Sequence, residues 1–425
     1  MRRGWIGAVL AIALLVVALT TTSASAKPKP TSSPTGIDQI GHVVVLMQEN
    51  RSFDSYFSQL HFEGQPNIDV MSQQPNPNPL RPNGPGIHPF HQTAMCEVVD
   101  LDHSWTATHR AFDNGRMDGF TTVNVDPADP TGSRSMGHYN SAELPFYYAL
   151  ANAFAIGDRY FSSVLGPTFP NRFYLTTGTS FGHIRNDIAT FNQKTIFQLL
   201  DEANPPVTWK IYAASVSEVI LFSYVQQHAS HIRPISEYMT DAASGTVPQV
   251  AFVEPNSLGS VNVENDEHPP ANVQVGEKFT HDIIEALLHS PDWSASAFFL
   301  TYDEHGGFYD HVAPPPAVPP DDIPPMLHPG DTPAAFDRYG VRVPAIVVSP
   351  FAKRHYVSHV VYDHTSILRF IETRFGLPAL TRRDAAASPM LDFFDFAHAS
   401  FATPPALPDA PVDPGGVAAC AALHP

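Results

Sequence analysis

The chain has 425 residues, 42 acidic and 24 basic, and a formal charge of −18. So acidic a surface argues against nucleic acid as a partner. With 43% hydrophobic residues it can build a large core, and two cysteines are too few for a disulfide-dense scaffold or a cysteine-built metal site.

Arg2 and Arg3, an apolar run from Trp5 to Leu19 and the small-residue stretch before Lys27 have the three-part pattern of a secretory signal peptide. Cleavage is expected after Ala26, and the product is expected to be extracellular, cell-wall or periplasmic. A membrane anchor would need a longer apolar core. The arginine pair fits twin-arginine export only loosely. Loss of Arg2 and Arg3 takes the charge to −20, 22 basic against 42 acidic residues. Residues 27–37 read as a Pro/Ser-rich linker, 38–400 as the main domain and 401–425 as a Pro-rich tail. In an oxidising compartment Cys96 and Cys420 could pair and tie the tail to the N-terminal half, a loop long enough to contribute roughly 5 kcal/mol in the chain-entropy model. Two separate buried thiols are the alternative.

HVVVLMQ, from His42, reads as a buried strand, and the polar Glu49, Asn50, Arg51 and Asp54 follow it at once. Residues 67–89 are a surface excursion rich in Pro, Asn and Gly. Residues 99–120 have a helix-like pattern, and 141–166 read as one or two helices. GPTFPNRFYLTTG breaks regular structure at Thr168 and resumes it as a helix. TIFQLLDEA is then a helix, VTWKIYA and VPQVAFVE are strands, and GEKFTHDIIEALLHS is a helix with apolar Phe279, Ile283, Leu287 and Leu288 at a 3.6 period. ASAFFLTYDE and VRVPAIVVSPF are strands around a Pro-rich surface loop. YDHTSILRFIETRFG is a helix capped by Asp363 and ended by Gly376. Alternating strands and helices predict an α/β fold whose mostly parallel sheet is covered on both faces.

Two strands far apart in sequence end in adjacent oxygen-bearing residues, Glu49-Asn50 and Asp303-Glu304. If the strands are neighbours, these four side chains can surround one hard cation such as Ca²⁺, Mg²⁺ or Mn²⁺; otherwise they are two solvated strand ends. Thr168 is the candidate nucleophile, on a Gly-Pro-Thr turn that opens a helix, where free N–H groups favour phosphate. Asn171 and Arg172 could donate to the same oxygens. On local pattern Thr168 also reads as a plain helix cap. His103, His268 and His364 sit beside acids or at element boundaries and could bind phosphate or move protons.

HVVVLMQENRSFD, DLDHSW, LGPTFPNR, EHPP, TYDEHGGFYDHV, GVRVPAIVVSPF and DHTSILRFIE, in this order, resemble the bacterial phospholipase C and acid phosphatase phosphoesterases across about residues 38–380. The resemblance implies an alkaline-phosphatase-like three-layer α/β sandwich, its mostly parallel central sheet flanked by helices, and metal-assisted phosphoester hydrolysis. It implies Glu49, Asn50, Asp303 and Glu304 as ligands of one divalent ion (calcium, manganese, magnesium or zinc), Thr168 as nucleophile, and His103 and His268 as phosphate-contacting or proton-transferring residues. From the same motif His311 is a further catalytic candidate and His305 a substrate-binding one, beside Asn171 and Arg172. Arg51, Thr168 and the Asp-Glu order at 303–304 resemble the phospholipase C branch, whose phosphodiester substrates include phosphatidylcholine. The alternative is an acid phosphatase acting on monoesters. The expected partner is a phospholipid or small phosphate ester, with transient membrane-surface contact allowed for and no nucleic acid. The chain stops soon after the helix near Phe375, without the extra C-terminal domains of the longest phospholipases, which puts membrane engagement in doubt.

Overall fold

The computed structural model describes residues 35–424; the expected signal peptide and residues 27–34 of the expected linker lie outside the described residues. The other end of the linker, Gly36–Gln39, is a short 3₁₀ turn.

Ten strands form in chain order: β1 His42–Gln48, β2 Phe90–His91, β3 Gly137–His138, β4 Ala155–Gly157, β5 Trp209–Ala213, β6 Ile232–Pro234, β7 Val250–Glu254, β8 Ser296–Tyr302, β9 Ala345–Val348 and β10 Tyr356–Ser358. β2 and β3 make a small ribbon; the others form one sheet in the order β10-β4-β9-β8-β1-β7-β5-β6. Only β9 runs against its neighbours, pairing antiparallel with β4 and β8. The central strands β1 and β8 are buried along almost their whole length. That is why both read as continuous apolar runs: a parallel sheet covered by helices on both faces leaves no side for polar residues.

The helix Val273–Leu288 packs the buried stripe Ile283, Ile284, Leu287 and Leu288, and the Asn272 side chain caps it by accepting from the Gln274 N–H. The helix His364–Phe375 opens with a capping box between Asp363 and Ser366 and ends at Gly376, where φ is +66°.

Four expectations are corrected. The stretch 141–166 holds one helix, Pro145–Ala153, followed by strand β4. Three buried residues that continue an apolar run carry too little periodicity to separate strand from helix. The helix expected over 99–120 spans Trp105–Phe112, begun by the Ser104 cap and stopped by Asp113 at φ +41°. Residues 235–244, assigned no element in sequence, form the helix Ile235–Ser244. The Pro-rich tail contains the helix Pro414–Leu423, capped by Asp413. Cys420 on that helix is disulfide-bonded to Cys96. Among the described residues no helix is long and apolar enough to cross a membrane.

Candidate active site

β1 and β8 are parallel neighbours in the register Gln48↔Tyr302, so Glu49-Asn50 and Asp303-Glu304 leave the same edge of the sheet side by side. The turns after the strands hold them there. Asn50 takes φ +62°, a left-handed conformation that asparagine tolerates better than most residues. Its N–H donates to Asp303 Oδ1 at 3.0 Å, and the Glu304 N–H donates to the same oxygen at 2.7 Å. Gly306 sits at φ +61° against the Asn50 backbone, where a Cβ would collide. His364, buried at the start of its helix, donates from Nε2 to the Asp303 carbonyl at 2.7 Å, and burial pushes its imidazole down to about 3, so it stays neutral.

After this bonding, three buried oxygens have no hydrogen-bond partner among the described residues: Asn50 Oδ1, Asp303 Oδ2 and Glu304 Oε1. Buried oxygens left unpaired are costly. The carboxyls register the same shortage of positive charge. Burial pushes Glu49 up to about 7 despite Arg172, Asp303 also up to about 7, and Asp266 up to about 8 with Glu49 adding to the shift. Burial acts on Glu304 in the same sense, but His103 and His305 outweigh it and hold that carboxyl low. Hard oxygen donors short of positive charge are a donor set that fits a divalent cation of the Ca²⁺, Mg²⁺ or Mn²⁺ kind.

Thr168 opens the helix Thr168–Thr177 as its first residue, behind the N-cap Pro167. The cap position belongs to the proline, so the reading of Thr168 as a helix cap is corrected. Arg172 lies one turn further, on the same face of the helix. It donates to Glu49 Oε1 at 3.0 Å, to Glu218 Oε1 at 2.8 Å and to the Met47 carbonyl at 3.2 Å, and its Nε lies 3.5 Å from Asp303 Oδ2. The face that carries Thr168 is thereby anchored to the ends of β1 and β8. Arg172, expected to meet substrate, has its guanidinium taken up by these carboxylates. Asn171 is likewise consumed: it accepts from the Val164 N–H and donates to the Gly166 and Pro167 carbonyls, fixing the turn that presents Thr168.

His103 and His268 come together with their rings 5.8 Å apart. Each donates from Nδ1 to a nearby carbonyl, Leu101 at 2.7 Å and Pro269 at 2.6 Å, which leaves Nε2 for other contacts; His103 Nε2 lies 3.4 Å from Asn50 Nδ2. His103 Nε2 lies 3.8 Å from Glu304 Oε1, and His268 Nε2 lies 3.9 Å from Asp100 Oδ2. Burial lowers the His103 pKa, but Glu304 and Asp100 outweigh it and raise it to about 9. His268 is positioned from behind. Its neighbour Glu267 is wholly buried and accepts from the hydroxyls of Tyr56, Tyr147 and Tyr302 and from Gln48 Nε2. The loop is tied to β1 by the Glu49 N–H, which donates to the Asp266 carbonyl at 2.8 Å. A cleft of about 540 Å³ opens beside these groups, with Asp100, His103 and Pro167 in its wall.

The remaining candidates sit elsewhere. His305 is buried behind Glu304, its Nδ1 3.2 Å from Oε2 and its ring edge-on to Phe120. His311 lies in another cluster, with Nδ1 2.7 Å from Asp54 Oδ2 and Nε2 3.3 Å from Asp69 Oδ2. Arg51, the branch marker, is fully buried; its guanidinium stacks 4.5 Å from the Phe308 ring centroid. Sequence reasoning missed Asp100, Asp266, Glu218 and Glu267. Glu267 opens the quoted EHPP motif, Asp266 stands just before it, and Asp100 stands three residues before His103. Glu218 carries no local signal.

A strand-end pair of oxygen-rich dipeptides, a threonine on a helix N-terminus and two imidazoles, one of them in the wall of a cleft, are gathered here. Residues 40–378 match the phosphoesterase family, and the chain belongs to it. It is a hydrolase acting on phosphoric ester bonds. The chain is 32% identical to non-specific phospholipase C1 of Arabidopsis thaliana over 382 residues, 83% of this chain and 70% of that protein. It is 30% identical over 462 residues to the non-hemolytic phospholipase C of Pseudomonas aeruginosa, covering 96% of this chain and 64% of that longer protein. Among solved structures, a protein in the alkaline phosphatase superfamily from Vibrio parahaemolyticus aligns with 57% of this chain and 64% of its own at 11% identity and a TM-score of 0.35.

Proposed function

We infer that the chain is an exported, metal-dependent phosphodiesterase of phospholipase C type that works through a phosphothreonine intermediate. The observation that carries this reading is the set of unpaired buried oxygens at the ends of β1 and β8, beside the helix that begins with Thr168. Phospholipase C relatives at 30–32% identity support the diester substrate class.

Glu49, Asn50, Asp303 and Glu304 would hold one divalent ion, which when bound supplies Lewis-acid polarisation and lowers the pKa of a nearby hydroxyl. Thr168 Oγ attacks phosphorus and releases its proton to solvent, and the P–O bond to the alcohol breaks. An imidazolium, His103 or His268, passes a proton from Nε2 to the departing alkoxide. Water then attacks the phosphothreonine and the same imidazole takes its proton; the bond from phosphorus to Thr168 Oγ breaks, Oγ regains a proton from solvent, and the phosphate monoester leaves. The helix N-terminus favours the developing negative charge. The Cys96–Cys420 disulfide supports export to an oxidising compartment, and with it removal of the segment up to Ala26.

Thr168→Val is the decisive substitution, because it keeps the shape and removes the hydroxyl. Turnover of p-nitrophenyl phosphorylcholine should fall by about 10⁴-fold with an unchanged Tm. A near wild-type rate would remove the covalent step. Side-by-side rates on p-nitrophenyl phosphate separate a diesterase from an acid phosphatase.

A further inference from the structure

Isolated exposed apolar side chains are ordinary on protein surfaces, whereas a group of them on one rim is not. Four stand on two loops that are sewn together at the mouth of the cleft. Ile188 is 85% exposed, Ile323 47%, Met326 43% and Leu327 41%. The Met326 N–H donates to the Gly182 carbonyl at 2.8 Å, and Gly182 lies against Ile323 and Pro324 at φ +91°. Arg185 and Asp331 join the same two loops through an ion pair and line the cleft. Ile188 is thus three residues from one wall residue, and Leu327 four from the other. Prolines 324, 325 and 329 stiffen the loop, so contact with a partner surface costs little further ordering.

We propose that this apolar rim seats the enzyme on a zwitterionic phospholipid surface, so that a lipid headgroup reaches Thr168 without leaving the bilayer. The proposal rests on the phospholipase reading above. Charge selects the occupant. The two loops carry Asp187, Asp321, Asp322 and Asp331 against Arg185 and Lys194, and Lys194 is already paired with Glu202. Arg382, first residue of the short helix Arg382–Ala386, offsets Asp322. An anionic surface attracts basic segments, and this one is acidic; a phosphatidylcholine surface presents its quaternary ammonium outermost and meets the aspartates favourably. Ile188, Ile323, Met326 and Leu327 then enter the headgroup boundary as interfacial anchors do.

The test uses the full chain with Ile188→Asp and Leu327→Asp combined, and Phe62→Asp, at an exposed aromatic outside these loops, as control. Two readouts are taken: sedimentation with phosphatidylcholine vesicles, and hydrolysis of those vesicles beside soluble p-nitrophenyl phosphorylcholine. The double variant should lose about ten-fold or more in vesicle binding and vesicle hydrolysis, because each charge placed at an interface opposes insertion. Its rate on the soluble substrate should stay within about two-fold of wild type, which also reports an intact fold. Unchanged vesicle sedimentation would overturn the proposal, and so would tighter binding to vesicles containing phosphatidylglycerol. A changed oligomeric state with vesicle binding retained would make the rim a contact between copies and overturn it too. A wild-type enzyme that sediments with vesicles yet hydrolyses neither substrate would sink the phospholipase reading and leave the lipid-surface contact standing.

Discussion

The segments after β1 and β8 each build two clusters, and the two clusters treat charge differently. On one side Glu49, Asn50, Asp303 and Glu304 leave the same edge of the sheet, with three buried oxygens unpaired among them. On the other, Asp54, from the short helix Phe53–Phe57 that follows the first turn, and Asp310, a little beyond the second, meet Arg342 together with Asp69 and His311. Arg342 donates to Asp54 Oδ1 at 2.8 Å, Asp69 Oδ2 at 3.0 Å and Asp310 Oδ2 at 3.1 Å, and stacks 4.3 Å from the Phe53 ring centroid. Arg159 adds a second bond to Asp69 at 2.9 Å. Asp54, Asp310 and His311 also lie close enough together to be mistaken for a metal site, yet the guanidinium already fills that place. The first keeps three oxygens unpaired although Arg172 and His103 lie beside it, and the second has its carboxylates bridged by one guanidinium. The first is suited to binding and chemistry, the second to holding the two turns in register.

Asp303→Asn should give the largest effect. The amide keeps the Oδ1 acceptor for the Asn50 and Glu304 N–H groups and removes the charge at Oδ2. Turnover should fall by about 10³-fold or more. The metal-stripped variant should be no less stable than metal-stripped wild type, because a carboxyl pushed up to about 7 by burial stabilises little. Adding divalent cation should raise the wild-type Tm and leave the variant's almost unmoved. If a chelator changes neither the rate nor the Tm of wild type, the cation assignment fails.

Arg342→Met should do the reverse. Removing one partner from a buried ion cluster costs about 3–5 kcal/mol, since Asp54 and Asp310 would be left buried without their cation. Urea unfolding should show this loss, while the folded fraction keeps its rate within about three-fold. A large fall in kcat at unchanged stability would put Arg342 in the chemistry and erase the contrast.

Much of the first cluster was legible in sequence, because each oxygen-bearing pair directly follows a mainly apolar strand that the covered sheet buries. The helix that begins with Thr168 was legible from its Gly-Pro break. The division of labour inside TYDEHGGFYDHV was not. His305 and His311 stand in one motif, but the turn at Gly306 and Gly307 puts His305 behind Glu304 and carries His311 across to Asp54. Only the partners tell the two histidines apart. Arg172 shows the same limit: its engagement depends on Glu218, 46 residues away in sequence, so the arginine's local pattern suggested a free donor. Strand β4, with three residues, escaped because its burial comes from β9 and β10, more than 180 residues later.

His311→Gln gives the smallest and most selective effect. Burial opposes the charge on His311, but Asp54 and Asp69 outweigh it and raise its pKa to about 10. The unfolded value is about 6.5. A group raised on folding contributes fully below its unfolded pKa and loses that contribution as pH rises through the folded one. His311 should therefore stabilise the fold fully below about pH 6.5 and progressively less up to about pH 10. The substituted glutamine would hydrogen-bond one aspartate without charge, so the variant should be about 2 kcal/mol less stable at pH 6. The gap to wild type should close as pH rises towards 10, read as the difference in Tm across the range. A gap that persists unchanged at pH 10 would mean that packing, and not the imidazolium, holds this cluster. A loss of turnover at pH 7 beyond the loss of stability would move His311 from the Arg342 cluster to the catalytic one.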